Sequence, residues 1–437
     1  MIYRYIIMKV KVTIIFILCL FFICSCKKKI DQMDGTYMPY IYSEEVYTPV
    51  PKGYEPFYIN YIGRHGSRYP ITNKDIDLLI GICVEAEEES LLTDKGKNLL
   101  KHLRLIKDEF NSKWGQLTPI GEAELIGIAS RMKKNFPNLF TEAVYVQADS
   151  VERCRKSMEV FINELFTKSE KQNVNIELLP SDNPVLNFFN VNLEYVKYKN
   201  SGVWIEATNQ FADSLEAKSK VLSSIFDPVF LETVNDKSTI IHSLYSTYAI
   251  IGGASNKYSL RNYMTLESIF NMWQIENVRQ YTEKGPYPVN DELSIKISFP
   301  LLIDFLETTN NAIVEGNVSA DFRFAHAETI IPFAALLGID IASSQTLDLD
   351  LLIELWKDYE IAPMAANIQW IVYNNKEDEY IIKMLLNEKE VTFPIESDIE
   401  PYYKWDDVAN YYQNVIDSLK LIKTFSIDKK LKYFKPQ

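Results

Sequence analysis

The residues with the most chemical content stand together at Arg64-His65-Gly66-Ser67-Arg68-Tyr69-Pro70. Two guanidiniums flanking an imidazole make a fork-shaped receptor for phosphate, and the histidine between them is placed to act as a nucleophile. The preceding Phe57-Tyr58-Ile59-Asn60-Tyr61-Ile62 is aromatic and β-branched, the pattern of a buried strand. Such a strand delivers the cluster to its carboxyl end, where loops of α/β sheets aim polar groups into a crevice.

Two further stretches have the same form. Val144-Tyr145-Val146-Gln147-Ala148 reads as a short strand that ends at Asp149-Ser150-Val151-Glu152-Arg153-Cys154-Arg155-Lys156-Ser157. Met158, Phe161, Ile162 and Leu165 follow at helical spacing, so Arg153 and Arg155 compete for the strand end. Alternation through Asp321-Phe322-Arg323-Phe324-Ala325-His326-Ala327-Glu328-Thr329 predicts another strand feeding a helix.

Other elements fill the space between. Residues 93–110 read as a helix with Leu99, Leu103, Ile106 and Phe110 on one face, which leaves His102 on the solvated side. Thr118 is a natural N-cap and Pro119 suits the first turn of a helix continued by Leu125, Ile128 and Met132. Between about residues 170 and 295 the chain turns aromatic and helical, and His242 falls inside an apolar run as an expected core histidine. Residues 368–373 and 380–384 predict a hairpin, and an amphipathic helix follows it.

Composition narrows the function classes. Of 437 residues, 47% are hydrophobic and 13% aromatic, which excludes disorder for most of the chain. A net charge of −13 argues against nonspecific nucleic-acid binding, so a phosphate site must be a local basic focus in an acidic shell. Arg4, Lys9 and Lys11 precede an apolar run over residues 13–23, too short for a comfortable membrane span and typical of a targeting segment.

The seven-residue cluster resembles the Arg-His-Gly-x-Arg-x-Pro signature of the histidine acid phosphatases, in the phosphoglycerate-mutase-like superfamily. Five fixed positions arise by chance in roughly one chain in thousands. The Leu117-Thr118-Pro119-Ile120-Gly121 segment and the Arg153-to-Ser157 spacing are similar to the same family, and that spacing favours Arg153 over Arg155. Family members often carry threonine at Cys154, where a thiol adds an oxidation liability. Most place aspartate directly after the second histidine. Here His326-Ala327-Glu328 resembles the multiple inositol polyphosphate phosphatase branch, as does residues 273–290 with Arg279, Tyr281, Lys284 and Gly285.

The resemblance implies an α/β fold, a phosphoglycerate-mutase-like sheet flanked by helices, formed by residues 52–170 and 296–437. A mainly helical cap over residues 171–295 would be inserted in it. It implies phosphate binding by Arg64, Arg68, Arg153 and His326, attack by His65, and proton transfer by Glu328. Lys74, Arg279 and Lys284 are further candidates for a polyanionic substrate, although surface salt bridging would explain the last two equally well. No metal or organic cofactor is implied. Relatives often carry cysteines near the C-terminus, and their absence here removes an expected disulfide. The expected substrate is an inositol polyphosphate such as phytate. The alternatives are a broad acid phosphatase for sugar phosphates or phosphoglycerate, and a lipoprotein that binds phosphorylated ligands without turnover.

Ile23-Cys24-Ser25-Cys26 resembles the lipobox of bacterial lipoproteins. That likeness makes residues 1–26 a signal peptide, Cys26 the lipidated residue, and residues 27–51 a tether to a membrane. The enzyme body would lie outside the cytoplasm, periplasmic or associated with the outer membrane. Cys83 and Cys154 remain, and spacing leaves open whether they pair.

Overall fold

The computed structural model describes residues 31–216 and 221–420. The signal segment, Cys26 and the lysines after it lie outside the described residues. An eight-stranded mixed sheet organises the chain: β1 (Glu55–Arg64), β2 (Ala143–Asp149), β3 (Val174–Leu179), β4 (Val318–Ala325), β5 (Asn367–Asn374), β6 (Tyr380–Leu386), β7 (Lys389–Val391) and β8 (Tyr403–Lys404). Their order is β3-β2-β4-β1-β5-β6-β7, with β8 also paired to β6. The four strands β3, β2, β4 and β1 run parallel, and β5 to β7 return antiparallel as the predicted hairpin and its extension.

β1 is central, and Tyr58, Ile59, Tyr61 and Ile62 are fully buried from both faces. A near-continuous apolar run is what such a strand requires. One face is covered by α3 (Pro119–Asn135) and α4 (Glu152–Leu165), where Tyr61 meets Phe161, Phe322 and Phe324. The other is covered by α8 (Phe299–Glu315), α9 (Ala327–Leu336) and α10 (Trp405–Lys420), with Trp370 packed among Phe305, Phe393, Trp405 and Tyr412.

A third cluster is mainly helical. It joins α1 (Lys74–Glu88) and α2 (Asp94–Phe110) to α6 (Lys237–Ala254) and α7 (Leu266–Lys284), with α5 (Val203–Glu216) at its margin. The expected boundaries therefore shift in two places. β3 falls inside the stretch 171–295 yet completes the sheet beside β2, so the helical layer starts only after Leu179. Residues 74–110, assigned to the sheet domain, share their apolar faces with the cap helices.

Two other expectations are corrected. The stretch 27–51 is not a free tether over its described part: Asp31–Tyr37 forms 3₁₀ turns, and Thr36 and Met38 are buried. Its stabilisation comes from backbone hydrogen bonds to distant residues, which leave no apolar periodicity. His242 is not a core residue. α6 turns Ile240, Ile241, Leu244 and Tyr245 inward and leaves His242 exposed beside Ser246. His102 is exposed on α2, as expected, and hydrogen-bonds the Tyr263 hydroxyl.

Cys83 and Cys154 are both buried free thiols. Trp370→Ala should destabilise the fold by about 3–5 kcal/mol, because it empties the centre of an aromatic cluster on β5. Chemical denaturation checks this, and a loss below about 1 kcal/mol would show that the sheet does not rely on that cluster.

Candidate active site

β2, β4 and β1 are parallel neighbours, with Arg64 level with Ala325 and Ala148 level with Phe324. All three strands therefore end at one edge, and their carboxyl-terminal loops open onto a common crevice. β1 supplies Arg64 and His65, β4 supplies His326, and β2 supplies Asp149 just before Arg153 in the first turn of α4. The His65 and His326 rings meet edge to face with centroids 5.6 Å apart.

The loop after β1 is held from several sides. The His65 N–H donates to Ala325 and its carbonyl accepts from Ala365, both at 3.0 Å. The Gly66 N–H donates to Ser157 Oγ at 3.2 Å, which gives the Arg-x-x-x-Ser spacing its physical reason. Behind the loop, the start of α3 approaches so closely that a Cβ on Gly66 would lie 2.5 Å from the Gly121 carbonyl oxygen. A Cβ on Gly121 would lie 2.2 Å from the Ser67 carbonyl oxygen. Two glycines back to back thus bring the capped helix start against the loop. Glu124 of α3 then accepts from the Ser67 N–H at 2.7 Å and the Ser67 hydroxyl at 2.6 Å.

Arg64, Arg68, Arg153, His65, His326 and Glu328 converge here and act on one another electrostatically. Arg64 Nη1 donates to the carbonyls of Thr36 and Ala362 at 2.5 and 2.7 Å. Arg68 donates to its neighbour Tyr69 and stands 5.7 Å from the Tyr37 ring centroid. Arg153 Nη2 lies 3.4 Å from His326 Nδ1, whereas Arg155 turns away to Glu159. The Nε–H groups of Arg64, Arg68 and Arg153 are buried and meet no acceptor among the described residues. Converging cationic donors of this kind match the oxygens of a phosphoryl group.

The three remaining sequence candidates separate. Lys284, in the last turn of α7, is buried and pairs with Glu328 in the first turn of α9 at 3.1 Å. Each charge sits at the helix end whose dipole favours it. Arg279 is already matched by Glu276 and Glu283 within α7. Lys74 is exposed at the first position of α1, outside the convergent cluster. Sequence reasoning missed Glu124 and the role of Asp149, whose Oδ2 lies 3.2 Å from His326 Nε2. Asp149 stands at the end of a predicted strand, and that placement was the available signal.

The family model of the histidine phosphatase superfamily (branch 2) matches residues 58–387. The chain belongs to that superfamily. The multiple inositol polyphosphate phosphatase of Bifidobacterium longum, in complex with inositol hexasulfate, superposes with a TM-score of 0.78 at 24% identity. The match covers 88% of this chain and 97% of that one. The phytase from D. castellii gives 0.67 at 15% identity over 90% of this chain and 85% of its own. Hafnia alvei phytase in its apo form gives 0.53 at 14% identity over 85% and 99%. At these identities the likeness is one of fold. The comparison with curated proteins gave no match.

In this histidine phosphatase the charges are unevenly tuned. Burial and then the Arg153, Arg64, His326 and Arg68 cations hold the His65 imidazole well below the usual histidine range. Its Nδ1 lies 2.9 Å from the Gly66 carbonyl oxygen, which can only accept, so Nδ1 carries the proton and Nε2 keeps its lone pair. Burial and Arg68 lower Arg64 to about 10, still a cation at neutral pH. Burial opposes charge on His326, but the Cys154 sulfur and the Asp149 carboxylate outweigh it and raise the ring to about 9. Burial likewise opposes charge on Asp149, and its bonds from His326 and the Val151 N–H bring it down to about 2.

The Asp149–His326 pair therefore has a defined window. The aspartate contribution is present above about pH 3.9 and is lost as pH falls through about 2. The histidine contribution is full below about 6.5 and is lost as pH rises through about 9. Inorganic phosphate binding should weaken through the alkaline limit, and Asp149→Asn should move that limit downward toward the ordinary histidine value. Binding measured across pH checks this, and an unmoved limit in the variant would remove Asp149 as a source of the His326 charge.

Proposed function

We propose that the protein is a phosphomonoesterase that hydrolyses inositol polyphosphates, phytate included, through a phosphohistidine formed on His65. The observation that carries this reading is His65, its Nδ1 held by the Gly66 carbonyl, set among Arg64, Arg68, Arg153 and His326, with the Glu328 carboxyl within electrostatic reach of those cations. In the reaction, Arg64, Arg68, Arg153 and His326 neutralise and orient the phosphoryl oxygens. The Nε2 lone pair attacks phosphorus in line as the P–O bond to the alcohol breaks. Glu328 gives its proton to the departing oxygen, and its carboxylate then takes a proton from the water that releases phosphate and restores His65.

Glu328 carries the tightest constraint. Burial pushes its carboxyl up, but Lys284, His326 and a backbone N–H together hold it well below the usual glutamate range. A phosphoryl dianion bound beside it opposes those cations and favours protonation. Lys284 is thus the residue that resists acid catalysis. Lys284→Met should raise the Glu328 pKa and move the alkaline limb of kcat upward for an alkyl phosphate. An unshifted limb would separate Lys284 from the proton transfer.

The substrate assignment is supported by the His326-Ala327-Glu328 sequence and by a fold shared with an inositol polyphosphate phosphatase that binds inositol hexasulfate. A second reading, a phosphatase for simpler phosphomonoesters, has its own observation. Arg279 and Lys284, the cap cations expected to meet outer phosphates, are matched by Glu276, Glu283 and Glu328. On residues 1–26 alone, the proposal extends to lipid attachment at Cys26 and a place outside the cytoplasm, in the periplasm or at the outer membrane.

The chain begun just after Cys26 should release phosphate faster from phytate than from a simple ester, unaffected by chelator. Turnover of the simple ester alone would favour the second reading. His65→Ala should abolish release, and Glu328→Gln should slow it by about 10²–10⁴-fold. Full activity in the His65 variant would sink the mechanism.

A further inference from the structure

We propose that the N-terminal strap, residues 31–40, is a positioning element of the phosphate site that fixes Arg64 through Thr36 and Arg68 through Tyr37. The strap kinks at Gly35, where φ is +57° and ψ is −137°, a conformation open essentially to glycine alone. A Cβ there would lie 2.6 Å from Asp358 Oδ2. The kink turns the next residue so that its N–H and its carbonyl serve different partners. The Thr36 N–H donates to Asp358 Oδ2 at 3.0 Å, and the Thr36 carbonyl accepts from Arg64 Nη1 at 2.5 Å.

Asp358 is itself immobilised by α7. Its Oδ1 accepts from Trp273 Nε1 at 3.0 Å, and its N–H donates to Asn277 Oδ1 at 2.8 Å. The helix that places Lys284 against Glu328 therefore also anchors the strap against Arg64. One residue on, the Tyr37 ring flanks the Arg68 guanidinium. The Met38 carbonyl then accepts from the Met364 N–H at 2.9 Å. The Tyr40 N–H donates at 2.9 Å to Glu124, the carboxylate that also grips Ser67. The strap thus reaches both arginines of the β1 loop and, through Glu124, Ser67 beside Arg68.

A segment that merely covered a sheet edge would leave phosphate affinity untouched when disturbed. A positioning segment would not, because small displacements of cationic donors cost rate and affinity. The inference rests on the phosphate-site reading, and inorganic phosphate titrated into the unmodified full chain tests that reading by itself. Gly35→Ala displaces the strap without removing any charged group, Tyr37→Leu removes the ring, and Tyr37→Phe keeps it. In the full chain, Gly35→Ala and Tyr37→Leu should weaken phosphate binding about tenfold and lower kcat/KM for a simple ester by about 10–100-fold. The ligand-free unfolding midpoint should stay within a few degrees, and Tyr37→Phe should recover most of the loss. If Gly35→Ala does not fold, Tyr37→Leu decides on the same readouts. Unchanged phosphate binding in the folded variants, with or without a lower midpoint, would overturn the inference. Absence of phosphate binding in the unmodified chain would instead remove the site reading on which it rests.

Discussion

Everything in this structure answers to one electrostatic demand: several cations are gathered and largely buried at the carboxyl ends of three parallel strands, inside a chain of net charge −13. Like charges so placed repel, and burial removes the water that would screen them. The protein offsets this cost with oriented oxygens. Carbonyls of Thr36 and Ala362 take Arg64, the Asp149 carboxylate takes His326, and Glu328 pairs with Lys284 within electrostatic reach of Arg64, Arg68 and His326. Each of these acceptors comes from a different part of the chain, so the site forms only once the sheet, the cap helices and the N-terminal strap have come together.

The same demand separates the two histidines. Both are buried and both lie among arginines, yet His65 is held neutral while His326 is driven toward its charged form. The difference lies in their partners. His65 meets a carbonyl through Nδ1, and His326 meets the Cys154 sulfur and, through Nε2, the Asp149 carboxylate. An uncharged ring with a free lone pair and a charged ring beside it suit attack on an anion. The depressed Glu328 carboxyl is the counterpart, a negative charge that balances the cations.

Much of this was legible in the sequence because the residues of the candidate site lie in short local patterns. Arg64, His65 and Arg68 share one loop, and His326 and Glu328 share one strand-to-helix junction, so strand periodicity placed each group at a strand end and the family resemblance joined those ends into one site. The supporting residues are not local. Glu124 grips Ser67 from 57 residues away, and the Thr36 carbonyl meets Arg64 across 28. Thr36 contributes through its backbone, which no side-chain pattern records. That is why residues 31–40 read as a tether. Periodicity failed differently at His242, where an apolar helix still has one solvated face. Arg279 and Lys284 were recognised as cap cations, but their partner carboxylates decide their meaning, and only the fold shows those.

The central claim is covalent chemistry at a neutral His65. Rapid acid-free quenching of the enzyme during turnover of a phosphorus-labelled ester, followed by peptide mapping, tests it most directly. The account predicts an alkali-stable, acid-labile phosphoryl group on the peptide that contains His65, formed and discharged at the rate of turnover. Turnover with no label on His65, or with label on another residue, would contradict it.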